Sequence, residues 1–155
     1  INRCLVGSEM CIRDSAKDYV FMQWLMLQQE KPEDYVIATG QMKSVREFIE
    51  LSALELGWNK EKGGKGIIWE NTGMDEIGKR ADTGEIVIRV DPRYFRPTEV
   101  EQLLGNSSKA SKKLKWRPKI NLNQLVSEMI QQDSNEAKKE YLLRKKGYQI
   151  FSSKE

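Results

Sequence analysis

The chain has 155 residues, of which 39% are hydrophobic, and this is enough for one domain with a core of its own. Its 26 basic and 23 acidic residues leave a net charge of +3, an excess too small and too dispersed to indicate nucleic acid binding. There is no histidine, and the two cysteines are Cys4 and Cys11, so the composition excludes a zinc site, a Cys-His nucleophile and histidine acid-base chemistry. The longest apolar run, YVFMQWLML, is too short to span a bilayer, and we expect a reducing, cytoplasmic setting.

The first predicted elements are a helix and a buried strand. Good helix formers begin at Ala16, and apolar residues cover most of the circumference, which is typical of a helix packed against a sheet. Pro32 is expected to end this helix. The run YVIATG, residues 35–40, favours β structure throughout and closes on glycine, which predicts a strand buried on both faces of a parallel sheet. Together, the predicted helix and strand would form half of a βαβ unit.

A second helix carries the clearest local signals. Ser44 and Glu47 have capping-box spacing, apolar residues follow at helical intervals, and Gly57 stands at the expected stop. After a glycine- and lysine-rich loop, the run IIWE predicts a short strand. A polar connection, residues 71–84, separates it from EIVIRV, whose alternation predicts a half-buried strand. Because long loops inside compact domains are more often functional than idle, we expect a function for this connection.

The C-terminal third is predicted to be helical. SSKASKKL forms a helix and KWRP a turn, after which Asn121 caps a helix and a polar tail helix ends near Gly147. The basic residues of SSKASKKLKWRPK and KKEYLLRKK are interpreted as solvated helix faces.

Two familiar patterns are interpreted as chance matches. GGKG, residues 63–66, suggests a phosphate loop, but such a loop lies between a strand and a helix, whereas these glycines precede a strand. YLLRK, residues 141–145, has the Tyr-x-x-x-Lys spacing of short-chain dehydrogenases, but it lies in the predicted solvated tail helix. Neither pattern is taken as a site.

The stretch DPRYFRPTEVEQLLG, residues 91–105, predicts an anion site. Pro97 suits the first position of a helix and holds Arg96 in an extended conformation at the helix entrance. Free amides and the positive end of the helix dipole favour an anion there, and a guanidinium can bind two oxygens of one phosphate. The alternative is that Arg96 pairs with a carboxylate such as Glu99 or Glu101, and that Glu99 only caps the helix.

The chain resembles the GDP-mannose 4,6-dehydratase family of the extended short-chain dehydrogenase/reductase superfamily. The resemblance rests on an ordered series of motifs that runs from Ala16 to about Gly147: AKDYV, MLQQEKPEDYVIATG, SVREF, DPRYFRPTEVEQLLG and KLKWRPKINLNQLVSEM. It implies an α/β parent with a Rossmann domain, of which this chain would be the C-terminal portion. The family reaction gives GDP-4-keto-6-deoxymannose, and it uses NADP and catalytic residues from the N-terminal domain, so the resemblance implies no catalytic and no cofactor-binding residue in this chain.

For the substrate, the resemblance assigns the GDP diphosphate to Arg96 and the ribose or guanine to Glu99, with Arg93 and Tyr94 as supporting walls. It implies GDP-mannose as ligand, a homodimer or homotetramer, and no nucleic acid or membrane partner. The remaining alternatives are another nucleotide-sugar dehydratase or epimerase of the superfamily and a non-catalytic binding or assembly module.

The resemblance also divides the chain. Residues 16–57 would be the last helix and strand of the Rossmann domain with the following helix, residues 58–133 the smaller, mostly helical α+β substrate-binding domain, and residues 134–155 a polar helical tail. Residues 1–15, INRCLVGSEMCIRDS, depart from the family pattern and resemble translated sequencing adapter, so we expect a non-native leader there.

Overall fold

The computed structural model of the chain describes residues 15–59, 64–94 and 104–148. These ranges form a small mixed structure of helices and one three-stranded sheet. The helices are α1 (Ala16–Leu27), α2 (Val45–Glu55), α3 (Ser108–Leu114) and α4 (Leu122–Lys145), and the strands are β1 (Ile67–Glu70), β2 (Ile77–Arg80) and β3 (Ile86–Arg89).

The predicted capping box of α2 is confirmed. The Ser44 hydroxyl accepts a bond from the Glu47 amide at 3.1 Å, and the Glu47 carboxylate accepts one from the Ser44 amide at 2.9 Å. The helix packs on β1, where the Trp69 indole donates to Glu50 at 2.9 Å. Gly66 approaches so closely that an added Cβ would lie 2.7 Å from that of Ala53, and glycine is therefore required there.

The sheet contains a strand that the sequence did not predict. The strands are antiparallel in the order β1, β2, β3, and β2 lies within the connection of residues 71–84. The prediction that this connection is a single long loop is therefore wrong, whereas its expected function stays a prediction. The residues of β2, IGKR, have weak β propensity, and the strand forms because both neighbours supply backbone partners. Gly78 leaves room for Ile88, whose Cδ1 would lie 2.9 Å from an added Cβ.

Helix α1 begins at Ala16 as predicted but ends at Leu27, before Pro32. The residues between these points are polar and exposed, so no packing extends the helix. Met22 is fully buried in a cluster with Ala110, Leu114 and Trp116. The expected burial against a sheet is not seen among the described residues, because the partners of α1 are α3 and the turn that follows it. Its other face leaves Val20, Trp24 and Leu27 at 63%, 53% and 82% exposure.

The predicted strand at residues 35–40 is not a strand in the structure. The segment has no regular secondary structure and no ladder of backbone hydrogen bonds with the described residues, and it is not part of the three-stranded sheet. Ala38 is buried, whereas Val36 is 51% exposed. Gly105 lies against this segment, and an added Cβ would come within 2.5 Å of the Ala38 Cβ. The segment therefore packs against Gly105 without pairing as a strand with the described residues.

Asp18, buried on α1, holds the turn that connects α3 to α4. One carboxylate oxygen, Oδ2, accepts hydrogen bonds from the amides of Lys119 and Ile120 at 2.9 and 3.1 Å. The backbone carbonyl of Asp18 accepts a hydrogen bond from the Trp116 indole at 3.2 Å. Helix α4 then begins at a capping box of Asn121 and Gln124 and runs unbroken to Lys145. The predicted tail helix is thus the second half of α4.

Candidate functional site

Two of the four predicted substrate-binding residues, Arg96 and Glu99, lie outside the described residues, as does the predicted short helix at Pro97. The other two, Arg93 and Tyr94, lie where the second described range ends. The chain is described again from Leu104, which lines a groove. Residues 91–94 and this groove are therefore the described features that flank the predicted site along the chain.

Arg93 pairs with a carboxylate of its own turn. Its Nη2 lies 2.6 Å from Asp91 Oδ2, its Nε lies 3.1 Å from both carboxylate oxygens, and its amide donates to Oδ1 at 3.0 Å. These hydrogen bonds, above all those from the Arg93 guanidinium, hold the pKa of Asp91 below its ordinary value. The guanidinium also lies 5.5 Å from the Tyr94 ring centroid. The side chains of Arg93 and Tyr94 remain exposed, which leaves both accessible to a ligand.

The groove has a volume of about 600 Å³ and lies between the end of the 35–40 segment and α3. Its lining consists of Gly40, residues 104–108, Ser111, Lys112 and Arg117. Ser108, Ser111 and Lys112 share one helical face because they are three and four residues apart. The neighbouring lysines Lys109 and Lys113 point elsewhere and both bind Glu33, at 3.0 and 2.6 Å.

Sequence reasoning missed this groove because it interpreted the lysines of α3 as one solvated face. The signal that could have found it is the repeated Arg-Pro dipeptide, since Arg117-Pro118 has the same local form as the predicted site residue Arg96 before Pro97. In both sequences the proline favours an extended conformation of the preceding arginine.

The described residues do not fit a dinucleotide phosphate loop. Gly66 packs on α2 and leads directly into β1, and YLLRK lies on α4 with Tyr141 64% exposed, a context that agrees with the interpretation of both patterns as chance matches. The three described ranges contain no group of three or more acidic or cysteine side chains placed to hold a metal ion. In the same ranges no helix combines the length and the apolar character that crossing a membrane requires.

Comparison with known proteins shows which family this chain resembles. The family model described as GDP-mannose 4,6 dehydratase matches residues 3–129. A GDP-mannose 4,6-dehydratase of Vibrio cholerae serotype O1 is 49% identical over 161 aligned residues, which cover all of this chain and 43% of the relative. The enzyme of that name from Yersinia enterocolitica is 48% identical over 95% of the chain and 41% of its own length. The human GDP-mannose 4,6 dehydratase is 48% identical over 76% of the chain and 30% of its own length.

All of these matches are dehydratases by name. The chain belongs to the GDP-mannose 4,6-dehydratase family, and the predicted resemblance is confirmed. It spans less than half the length of these relatives and corresponds to their C-terminal part. The match includes the predicted leader from residue 3 onward, and residues 1–14 lie outside the described residues.

Proposed function

We propose that this chain is the GDP-binding C-terminal part of a protein that converts GDP-mannose to GDP-4-keto-6-deoxymannose and water. The observation that carries the proposal is the 49% identity to a GDP-mannose 4,6-dehydratase over the whole chain. Relatives of that name match over the same region in bacteria and animals. The protein that carries this chain would be a cytoplasmic, NADP-dependent dimer or tetramer.

In this proposal the chain contributes substrate binding and no catalytic residue. Arg96 binds the diphosphate, because a permanently charged planar guanidinium can donate to two phosphate oxygens at once. Glu99 accepts hydrogen bonds from ribose hydroxyls or guanine N–H groups and would repel the phosphates if it lay closer to them. Arg93 and Tyr94 form supporting walls, and the Asp91 pair described above holds Arg93 in place.

The proposed Rossmann portion is supported by two surfaces of the described residues. Helix α1 exposes Val20, Trp24 and Leu27, and the 35–40 segment has no strand partner among the described residues. An apolar helix face beside an unpaired β-favouring run is the arrangement that a parallel sheet would cover. The cofactor and the catalytic groups would then come from that covering portion, since the described residues offer no phosphate loop.

The test has two parts. The purified 155-residue chain should not turn over GDP-mannose and should not bind NADP in a fluorescence titration, and turnover by this chain alone would contradict the division of roles. In the longer protein that carries the chain, Arg96→Ala should weaken GDP binding by about 1.5 to 3 kcal/mol, the scale of a hydrogen bond to a charged group. Arg96→Lys should recover only part of that loss. Unchanged GDP affinity in a folded Arg96→Ala protein would mean that Arg96 does not bind the diphosphate and would favour the alternative of a surface ion pair.

A further inference from the structure

We propose that the groove beside α3 is a second anion-binding site, in which Lys112 and Arg117 bind a phosphate or diphosphate group. The proposal deepens the proposed function, on which it rests for the guanosine part of the ligand. It adds residues from a different part of the chain to the predicted binding set.

Within the described residues, the positive charge of the groove is not compensated. None of the described lining residues is a carboxylate, and neither Lys112 nor Arg117 forms an ion pair with a described residue. On the same helix Lys109 and Lys113 both form ion pairs with Glu33, so α3 separates a paired lysine face from an unpaired one. Two unpaired cations over one concave surface favour an anionic ligand.

Neutral donors complete the groove. Ser108 and Ser111 lie on the groove side of α3 with Lys112, and their hydroxyls can each donate one hydrogen bond. The guanidinium of Arg117 offers a planar pair of N–H donors that matches two oxygens of a phosphate, whereas Lys112 acts as a point charge. This combination of one forked donor, one ammonium and two hydroxyls suits a phosphate better than a single carboxylate, which has only two oxygens.

The backbone that carries Arg117 is fixed on both sides. Trp116 is 2% exposed, and Pro118 restricts the arginine itself to an extended conformation. The buried Asp18 clamps the next two amides, at 2.9 and 3.1 Å. The opposite wall is fixed by the close contact of Gly105 with Ala38. Because the supporting backbone is already ordered, a ligand need immobilise only the side chains.

The experiment is a calorimetric titration of the 155-residue chain with inorganic pyrophosphate, with GDP and with guanosine. The test variant is Lys112→Ala/Arg117→Ala, and the matched control is Lys138→Ala/Lys139→Ala, which removes the same charge from α4 outside the groove. We expect pyrophosphate and GDP affinity to fall by about tenfold or more in the test variant and by less than about twofold in the control, since only the former removes charged hydrogen bonds. Arg117→Lys should lose part of the affinity, and far-UV circular dichroism compares the fold of each variant with that of the parent chain.

The possible results distinguish a failure of this anion site from a failure of the proposed function. Equal losses in the test and control variants would show that the attraction is general to the basic chain and would overturn the site. Full affinity in the test variant would also overturn it, whatever Arg96→Ala does to GDP binding in the longer protein. Pyrophosphate binding that depends on Lys112 and Arg117, without any binding of GDP, would support the anion site and contradict the guanosine part of the proposed function.

Discussion

Asp18 shows how one residue can have a different structural role from the one its sequence position indicates. In the sequence it is an acidic residue in the first turn of α1, a common position that the helix dipole favours. In the structure the carboxylate is buried and accepts two amides about one hundred residues further along the chain. No local pattern encodes that contact, so its partners could not be predicted from the sequence.

The geometry of this clamp makes a sharp prediction. Since Oδ2 alone accepts both amides, Asp18→Asn can keep both bonds through its single carbonyl oxygen, whereas Asp18→Ala leaves two amides without an acceptor. We expect Asp18→Ala to lower the free energy of unfolding by about 1 to 3 kcal/mol and Asp18→Asn by less than about 1 kcal/mol. Urea unfolding of the two variants is the measurement. Losses of the same size would mean that the negative charge, and not the acceptor geometry, stabilises the turn.

The contact of Glu33 with Lys109 and Lys113 is a second long-range contact, and its contribution to stability depends on pH. Hydrogen bonds from Lys113 and Lys109 lower its pKa below the ordinary value of 4.5. A carboxylate with a lowered pKa stabilises the fold above its unfolded pKa, and that contribution is lost as the pH falls through the lower, folded value. We expect stability to fall as the pH is lowered from about 4.5, and Glu33→Gln to reduce this slope. Urea midpoints measured from pH 6 to pH 3 check it, and an unchanged slope in Glu33→Gln would contradict it.

At the scale of elements, the sequence predicted what local chemistry determines. The capping boxes at Ser44 and Asn121 mark where α2 and α4 begin, because the cap and its partner are three residues apart. The errors concern strands, which need partners that are distant along the chain. IGKR became β2 because two strands flank it, and YVIATG did not form a strand because the described residues provide no neighbour, despite its strong β propensity. The groove could not be predicted for the same reason, since it depends on Gly105 packing against the distant Ala38, whereas the roles of Arg96 and Glu99 stay predictions.

The start of α1 gives a test of the proposed leader. Ser15 belongs to the predicted leader, yet it is buried and caps the helix, with its hydroxyl accepting the Lys17 amide at 3.3 Å. Deletion of residues 1–14 should therefore change the free energy of unfolding by no more than about 0.5 kcal/mol, the usual scale for surface changes. Deletion of residues 1–15 should cost about 1 kcal/mol more, because it removes the cap. Thermal or urea unfolding measures both, and a chain that unfolds without residues 1–14 would mean that this segment is part of the fold.

For the whole molecule, the location of apolar residues matters more than their number. The described core is small, centred on Met22, Ala110, Leu114 and Trp116, while large apolar side chains of α1 remain exposed. Stability from such a core is limited, and the exposed face adds a tendency to associate. We therefore expect the isolated chain to be marginally stable, whereas the same residues would be buried in the longer protein.

A pair of leucine substitutions distinguishes these two contexts. Leu27, on α1, is 82% exposed in the chain and belongs to the face that the proposed Rossmann portion would cover, while Leu142, on α4, is 56% exposed and lies outside it. In the isolated chain both Leu→Ala changes should alter the free energy of unfolding by less than about 0.5 kcal/mol. In the longer protein Leu27→Ala should cost about 2 to 5 kcal/mol, because it would leave a cavity in a packed core, and Leu142→Ala should remain near neutral. Urea unfolding of both variants in both contexts is the measurement. A Leu27→Ala change that stays neutral in the longer protein would mean that this end of the α1 face remains in solvent, and that the proposed sheet covers a different part of the chain.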